Sequence, residues 1–289
     1  MTIDTLQSGT AVRRLLDDFS LEMTGKDVNH LIDAVGTIPG GTRINVTFLE
    51  NEDLAARLGA ARALITHGLA PVPHISARRL HSAAMLEEFL TALRAEGAVE
   101  EIFAVGGDPS TPHGPYEDSL ALIESGRLKD FGVRRVSIAG YPEGHPHITE
   151  SRLWSALEHK TAALAAAGMN GSIITQFGFD VEPVVDWIEQ VRSRGIDMPI
   201  RVGVPGPAGI RRLVRYAARF GVGTSAGIAK KYGFSITNLM GTAGPDKFLH
   251  ELAARYRPET HGDVKVHFYT FGGLAATSEW IAAFQADSV

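Results

Sequence analysis

Gly171-Ser-Ile-Ile-Thr-Gln-Phe-Gly-Phe-Asp180 decides how the rest of the chain is read. It opens as a β-branched run, the composition of a buried strand. Thr175 and Gln176 end that run with polar groups, and a helical pattern from Val181 to Arg194 follows at once. A strand that ends in polar residues and feeds a helix is the working unit of an α/β barrel, in which chemistry gathers at the C-terminal ends of the strands. Gln176 is therefore the first candidate site residue.

Working outward, the same unit recurs. Phe19–Met23, Arg43–Leu49, Pro71–Ser76, Glu101–Asp108 and Arg134–Tyr141 read as five strands before the opening stretch, and Pro199–Pro205 and Val264–Thr270 as two after it. Helical patterns follow them over Asp27–Ile38, Asp53–His67, Ser82–Glu96, Tyr116–Ser125, Thr149–Ala167 and, at the end, Thr277–Gln285. Asp27, Asp53 and Ser82 are the expected N-caps, and Gly168 stops the long helix. Ile210–Phe220, Thr224–Lys231 and Asp246–Tyr256 are further helical segments between the seventh and eighth strands. No linker or composition shift divides the chain. The expected fold is α/β, a single (β/α)8 TIM-barrel catalytic domain over residues 1–289 with extra helices between strands seven and eight. A doubly wound sheet would need no closing eighth strand.

Composition narrows the function. The chain of 289 residues has no cysteine, 44% hydrophobic and 21% charged residues, and a formal charge of −5. Thiolate catalysis, disulfides and thiolate metal sites are excluded together. The charge offers no polycation for nucleic acid and no basic membrane patch. No apolar run is long enough to span a bilayer, and the charged N-terminus is unlike a secretory signal. A soluble, cytoplasmic protein is expected. No pattern sets the oligomeric state, and a homo-oligomer is compatible with the sequence.

In such a barrel the strand-end residues Glu22, Thr47, His74, Asp108, Tyr141, Gln176 and Tyr269 converge on one mouth. Two carboxylates, a histidine, a glutamine and two tyrosines around one cavity suit polarising and protonating a nitrogen heterocycle. Each also has a plain structural reading. Glu22 could be a solvated strand-end charge and His74 a core histidine. Asp108, after Gly106-Gly107, could cap a turn. Tyr141 and Tyr269 could be rim packing. His145 and His147 stand two apart in a proline loop with no third ligand nearby, so no metal is assigned. Gly106-Gly107 lacks phosphate-loop spacing and no Gly-x-Gly-x-x-Gly opens a helix, so a dinucleotide would bind without a Rossmann domain.

Taken in order, several short motifs add a resemblance. Ser-Leu-Glu stands at 20–22, Pro-His at 73–74 and Gly-Asp at 107–108. Tyr-Pro-Glu-Gly-His-Pro follows at 141–146, Ile-Thr-Gln-Phe at 174–177, Gly-Ile-Asp-Met-Pro-Ile at 195–200 and His-Phe-Tyr-Thr at 267–270. Over nearly the whole chain this series resembles the methylenetetrahydrofolate reductase family of the bacterial single-domain kind. The resemblance implies reduction of 5,10-methylenetetrahydrofolate to 5-methyltetrahydrofolate, with Glu22 as the general acid that opens the five-membered ring to a 5-iminium cation. It gives Asp108 a role in catalysis and pterin binding. Gln176, Phe177 and Tyr269 become folate contacts, and Thr47, His74, Gly107, Tyr141 and His145 cofactor contacts. The implied partner is a tetrahydrofolate.

The departures bear on the cofactor. Family members carry FAD, with Arg-Gly-Asp ending the fourth strand and Lys-Val-Asp-Ala-Gly before the sixth. Here Gly106 replaces the arginine, and Leu164-Ala-Ala-Ala-Gly168 replaces the lysine segment, with one extra residue before Thr175. A diphosphate without cationic partners is poorly held. FAD is thus in doubt, and NADH or NADPH is expected to pass its hydride directly to the iminium. The continuation of the first strand is Met23-Thr-Gly-Lys26 in place of Phe-Phe-Pro-Pro. The family's Asn-Arg after His-Phe-Tyr-Thr gives way to Gly272, Gly273 and Leu274, which leaves the contact to the folate glutamate tail open. The alternatives are a folate-dependent methyl- or one-carbon transferase that keeps Asp108 and Gln176, and a non-catalytic folate-binding protein. A pure binding module has no need of the acid Glu22.

Overall fold

The alternation of inward polar and outward apolar residues along eight short strands closes this chain into a barrel. The computed structural model describes residues 3–48, 53–222 and 242–287. The barrel strands are β1 (Ser20–Met23), β2 (Arg43–Val46), β3 (Ala70–Ser76), β4 (Glu101–Val105), β5 (Arg135–Gly140), β6 (Ile173–Thr175), β7 (Ile200–Pro205) and β10 (Val264–Tyr269). All pair in parallel, in the closed order β1-β10-β7-β6-β5-β4-β3-β2. The α/β TIM barrel read from the sequence is the observed fold.

Helices sheathe it: α1 (Ile3–Leu16), α2 (Val28–Ala34), α3 (Leu54–Thr66), α4 (Ala83–Ala95), α5 (Ser119–Glu124), α6 (Arg127–Asp130), α7 (Glu150–Ala166), α8 (Val181–Ser193), α9 (Ile210–Phe220), α10 (Asp246–Arg255), α11 (Pro258–His261) and α12 (Leu274–Asp287). The main apolar core lies between sheet and helices, where Leu21, Ile44, Ile102, Val136, Ile173, Val202, Val266 and Phe268 meet the helical faces. Inside the barrel the apolar content is a small cluster of Val72, Phe103 and Ile174. Its base is ionic. Arg43 joins Asp18 and Glu101, Arg135 joins Glu101, and Arg201 donates to the Asp18 carboxylate at 2.7 Å. These buried or half-buried charges come in linked pairs, the condition under which such burial is tolerated.

Several local expectations change. Helix α1 precedes the first strand and was not foreseen; the Lys265 ammonium fixes its end by donating to the Arg14 carbonyl at 2.9 Å. Thr24, not Asp27, caps the helical segment after β1, because the Asp27 carboxylate turns back to accept from the Thr24 N–H at 2.7 Å. That segment is a 3-10 turn, α2 and a second 3-10 turn rather than one helix. Asp118 caps α5, so helix begins there at Ser119 rather than at Tyr116. Helix α12 begins at Leu274, three residues before the expected start at Thr277. Ala208–Gly209 (β8) and Thr242–Ala243 (β9) form a short antiparallel pair beside the barrel. The expected helix Thr224–Lys231 lies outside the described residues. Among the described residues no helix is long and apolar enough to cross a membrane.

Gly171, the first residue of the opening stretch, is a steric requirement. A Cβ there would lie 1.9 Å from the Val136 carbonyl oxygen on the neighbouring strand. Backbone cannot swing aside as a side chain can. Gly171→Ala is therefore expected to lower stability by about 3 kcal/mol, read as a drop in the urea midpoint with the slope of the transition unchanged.

Candidate active site

Strand alternation builds the site. Successive side chains leave a strand on opposite faces, so Ser20 and Glu22, Asn45 and Thr47, and His267 and Tyr269 share the inward face. The register sets Glu22 opposite Asn45 and Ser20 opposite His267. Thr270 secures the strand ends by donating its hydroxyl to the Glu22 carbonyl at 2.6 Å.

Glu22 is the centre of the cluster. Its carboxylate oxygen lies 3.6 Å from His267 Nε2, and its side chain is 19% exposed. Burial pushes its pKa up to about 7; the nearby His74 opposes that rise and the Asp27 carboxylate adds to it. Both histidines move the other way. Burial lowers His74 to about 4, against the attraction of Glu22, and lowers His267 to about 3 with help from the Arg201 charge. Near neutral pH, Glu22 is thus close to half-protonated between two uncharged imidazoles, and its contact with His267 is not an ion pair.

Hydrogen bonds fix the rings. His267 Nδ1 meets the Ser20 hydroxyl at 2.8 Å, while Nε2 has no hydrogen-bond partner. With Ser20 donating, the proton of His267 sits on Nε2 and faces Glu22. Asn45 donates its amide to His74 Nε2 at 3.3 Å, and the His74 ring packs edge-on against Phe103 at 4.7 Å.

The other candidates take distinct places. Tyr269 donates its hydroxyl to the Thr175 carbonyl at 3.0 Å, and its ring stands edge-on to His267. Burial, then the charges of Glu22 and Tyr141, raise its pKa well above the usual value, so it stays a phenol. The half-buried Gln176 accepts the Phe177 N–H at 3.1 Å through Oε1, and its side-chain NH2 is left for another partner. Phe177 is buried among Phe179, Phe220, Tyr269 and Phe271, with ring centroids 5.0 to 5.9 Å away, so it supports the mouth from beneath. Thr47 donates to the Met23 carbonyl at 3.2 Å. Gly107 has φ +98°, and a Cβ on it would fall 2.1 Å from Ser76 Oγ, so no other residue suits the turn.

Asp108 follows that turn and stands apart from the cluster. The chain swings it to the rim, where its side chain is 84% exposed and 3.4 Å from the Arg79 guanidinium. It still acts on Tyr141, whose pKa is raised mainly by burial and then by the Asp108 charge. Tyr141 and His145 meet edge-on at 5.4 Å. Burial, and then His147, lower the His145 pKa. A cavity of about 600 Å³ opens beside them, walled by Gly140, Tyr141, His145, the stacked pair Trp154 and Trp187, and Gln190. Among the described residues no three His, Asp or Glu side chains group as metal ligands.

Sequence reasoning missed His267, Asn45 and Ser20. The signal was available, since each lies two residues before a candidate already chosen and so shares its face.

Comparison with known proteins assigns the chain to a family. The family model for methylenetetrahydrofolate reductase matches residues 19–223. Methylenetetrahydrofolate reductase 2 of Saccharomyces cerevisiae is 33% identical over 126 residues, covering 41% of this chain and 20% of that protein. The 5,10-methylenetetrahydrofolate reductase of Pectobacterium carotovorum is 32% identical over 123 residues, covering 42% of this chain and 39% of that protein. The alignments thus span a fifth to two fifths of these relatives' length. A solved Clostridium thermocellum protein, described as binding two copies of 5-methyl-5,6,7,8-tetrahydrofolic acid, superposes with a TM-score of 0.60 over 98% of each chain at 12% identity, a likeness of fold.

The raised pKa of Glu22 has a consequence for stability. Its folded value of about 7 exceeds the ordinary value of 4.5, so the native state binds more protons between these limits and stability falls as pH rises through them. The full effect is about 3 kcal/mol. Glu22→Gln should therefore gain melting temperature relative to the parent as pH is raised from 5 to 8. Parallel melting curves for the two proteins across that range would remove the proposed ionisation.

Proposed function

This chain belongs to the methylenetetrahydrofolate reductase family, and we propose that it reduces 5,10-methylenetetrahydrofolate to 5-methyltetrahydrofolate with NADH or NADPH as the hydride source. The observation that carries this reading is Glu22, a carboxyl group at a barrel mouth that remains protonatable near neutral pH.

Opening the imidazolidine ring requires a proton on N10 as the bond from N10 to the bridging carbon breaks. Glu22 in its acid form supplies that proton, and the bridging carbon becomes a 5-iminium cation. A hydride added to that carbon gives the methyl group. The nicotinamide supplies the hydride, and the balance is one hydride and one proton consumed per turnover. His267, held by Ser20 through Nδ1, keeps Nε2 3.6 Å from the Glu22 carboxyl. Because His74 and His267 are uncharged, no imidazolium opposes the substrate cation. Gln176 has amide donors for the pterin, and Tyr269 forms a wall over the Phe177 platform. Asp108 is the anionic partner on the rim, reached by a ligand that extends past Tyr141. Thr47, His74, Gly107, Tyr141 and His145 are the proposed cofactor contacts, of which Tyr141 and His145 line the cavity walled by α7 and α8.

A flavin fits these residues poorly. Position 106 is glycine, and Leu164 is 1% exposed within the core between α7 and the sheet, so neither offers a cation to a diphosphate. Direct transfer between nicotinamide and folate in a ternary complex follows.

Purified protein should oxidise NADH or NADPH only when methylenetetrahydrofolate is present, should carry no flavin absorbance, and should give intersecting double-reciprocal lines. kcat/KM should fall above about pH 7 as the Glu22 acid is lost. Glu22→Gln should lower kcat by about 100-fold or more with folate affinity nearly unchanged. A stoichiometric yellow chromophore would overturn the flavin-free route, and full turnover by the variant would remove Glu22 from the chemistry.

A further inference from the structure

Residues 106–118 join β4 to α5 without regular structure, and they carry Gly107 and Asp108. Irregular connections of that length are uncommon in a compact domain and are usually functional. This one is tied down by a single residue of the neighbouring turn. Arg78 is half-buried in the 3-10 turn Ala77–Arg79 that follows β3. Its N–H donates to the Gly106 carbonyl at 2.9 Å, and its carbonyl accepts the His113 N–H at 2.9 Å. In the side chain, Nη1 donates to the Pro109 carbonyl at 2.9 Å and to that of Ser110 at 3.3 Å, while Nε donates to the Glu117 carbonyl at 2.7 Å.

These partners fall on both limbs of the loop. Gly106, Pro109 and Ser110 belong to the limb that leaves β4, His113 and Glu117 to the limb that returns to α5. Gly106 and Pro109 bracket Asp108, so the backbone on either side of that carboxylate is pinned to the same residue. The returning limb also lies against the turn. The His113 ring stacks on His81 with centroids 5.0 Å apart, and a Cβ on Gly114 would fall 2.4 Å from the Leu80 and His81 carbonyl oxygens. The Asp108 side chain itself is held far less firmly. Its 3.4 Å approach to Arg79 is an exposed pair, a kind that contributes little. Two consecutive arginines thus take different parts: Arg79 faces the carboxylate, and Arg78 spends its charge on carbonyl oxygens of the chain that carries it.

We propose that Arg78 is the positioning residue for Asp108, bracing both limbs of the β4–α5 loop so that the rim carboxylate stands in place before a ligand arrives. This rests on the reading of Asp108 as the anionic partner of the bound ligand. A slack loop would have to be ordered on binding, at a cost in backbone entropy for each residue fixed. A braced loop avoids that cost and holds the charge where it acts. The planar fork of a guanidinium suits this role, since Nε and Nη1 serve different limbs. An ammonium offers one centre for both.

The test is a double-mutant cycle on kcat/KM for 5,10-methylenetetrahydrofolate, with the melting curve of each protein recorded alongside. Arg78→Met keeps an unbranched stem and the two backbone bonds and removes the fork. It should lower kcat/KM about tenfold through misplacement of the carboxylate. Asp108→Ala should lower it at least as much. With both changes, kcat/KM should equal that of Asp108→Ala alone, because no carboxylate is left to position. A further tenfold fall in the double variant would overturn the proposal, since Arg78 would then act on the reaction by another route. So would a parental kcat/KM in Arg78→Met. A parental kcat/KM in Asp108→Ala would instead remove Asp108 from the reaction and sink the reading on which the brace rests. If Arg78→Met does not melt cooperatively, the same cycle with Arg78→Lys decides, because lysine retains the charge and loses the fork.

Discussion

The site depends on a carboxyl group that burial, rather than a charged neighbour, controls. Glu22 sits at the end of β1 with its oxygen 3.6 Å from an imidazole, a geometry that near a charged histidine would be an ion pair and would hold the acid ionised. Here desolvation wins on both partners. It raises Glu22 to about 7 and lowers His267 to about 3, so the imidazole is neutral while the acid keeps a protonated fraction up to about pH 7. Ser20 and Asn45 then take on a chemical role. Ser20 holds the His267 ring through Nδ1 and Asn45 holds the His74 ring through Nε2, so both imidazoles stay beside the acid.

That arrangement requires an unusual barrel interior. Such interiors are commonly filled by layers of bulky branched side chains. Among the described residues the inner apolar layer is Val72, Phe103 and Ile174 with Val105 and Ala139 packed against them, and polar groups such as Ser20, Asn45, His74, Ser137 and His267 are buried around it. The permanent charges, on Asp18, Arg43, Glu101, Arg135 and Arg201, are paired at the base, on the far side of that layer from the mouth. The interior thus grades from ionic at the base, through a thin apolar layer, to neutral and polar at the mouth. The outer core between sheet and helices supplies the apolar burial that the interior gives up.

Much of this was legible in the chain. The β-branched runs and intervening helical periods mark the eight strands, and the strand-end rule puts Glu22, His74, Gln176 and Tyr269 on the inward side. Failures came where a side chain, rather than a period, decides local structure. Thr24 displaced Asp27 as cap because a reciprocal pair of hydrogen bonds outcompetes a single one. Asp108 stands exposed on the rim, after Gly107 at positive φ, a turn that a pattern of residue types does not reveal. His267 was overlooked because it lies one layer below the strand end, at a depth set by register. Phe177, expected as a folate contact beside Gln176, packs its ring among Phe179, Phe271 and Tyr269.

The placement of cations follows from the same constraint. An arginine within about 4 to 6 Å of Glu22 would lower its pKa by one to three units and leave a carboxylate where an acid is needed. No arginine is among the groups that shift Glu22, which are His74 and Asp27. The arginines of the barrel base are held by Asp18 and Glu101, beyond the layer of Val72, Phe103 and Ile174. Those of α9 stand on a helix that the rings of Tyr269, Phe271 and Tyr216 join to the mouth. Burial thus acts on Glu22 without a nearby guanidinium to oppose it.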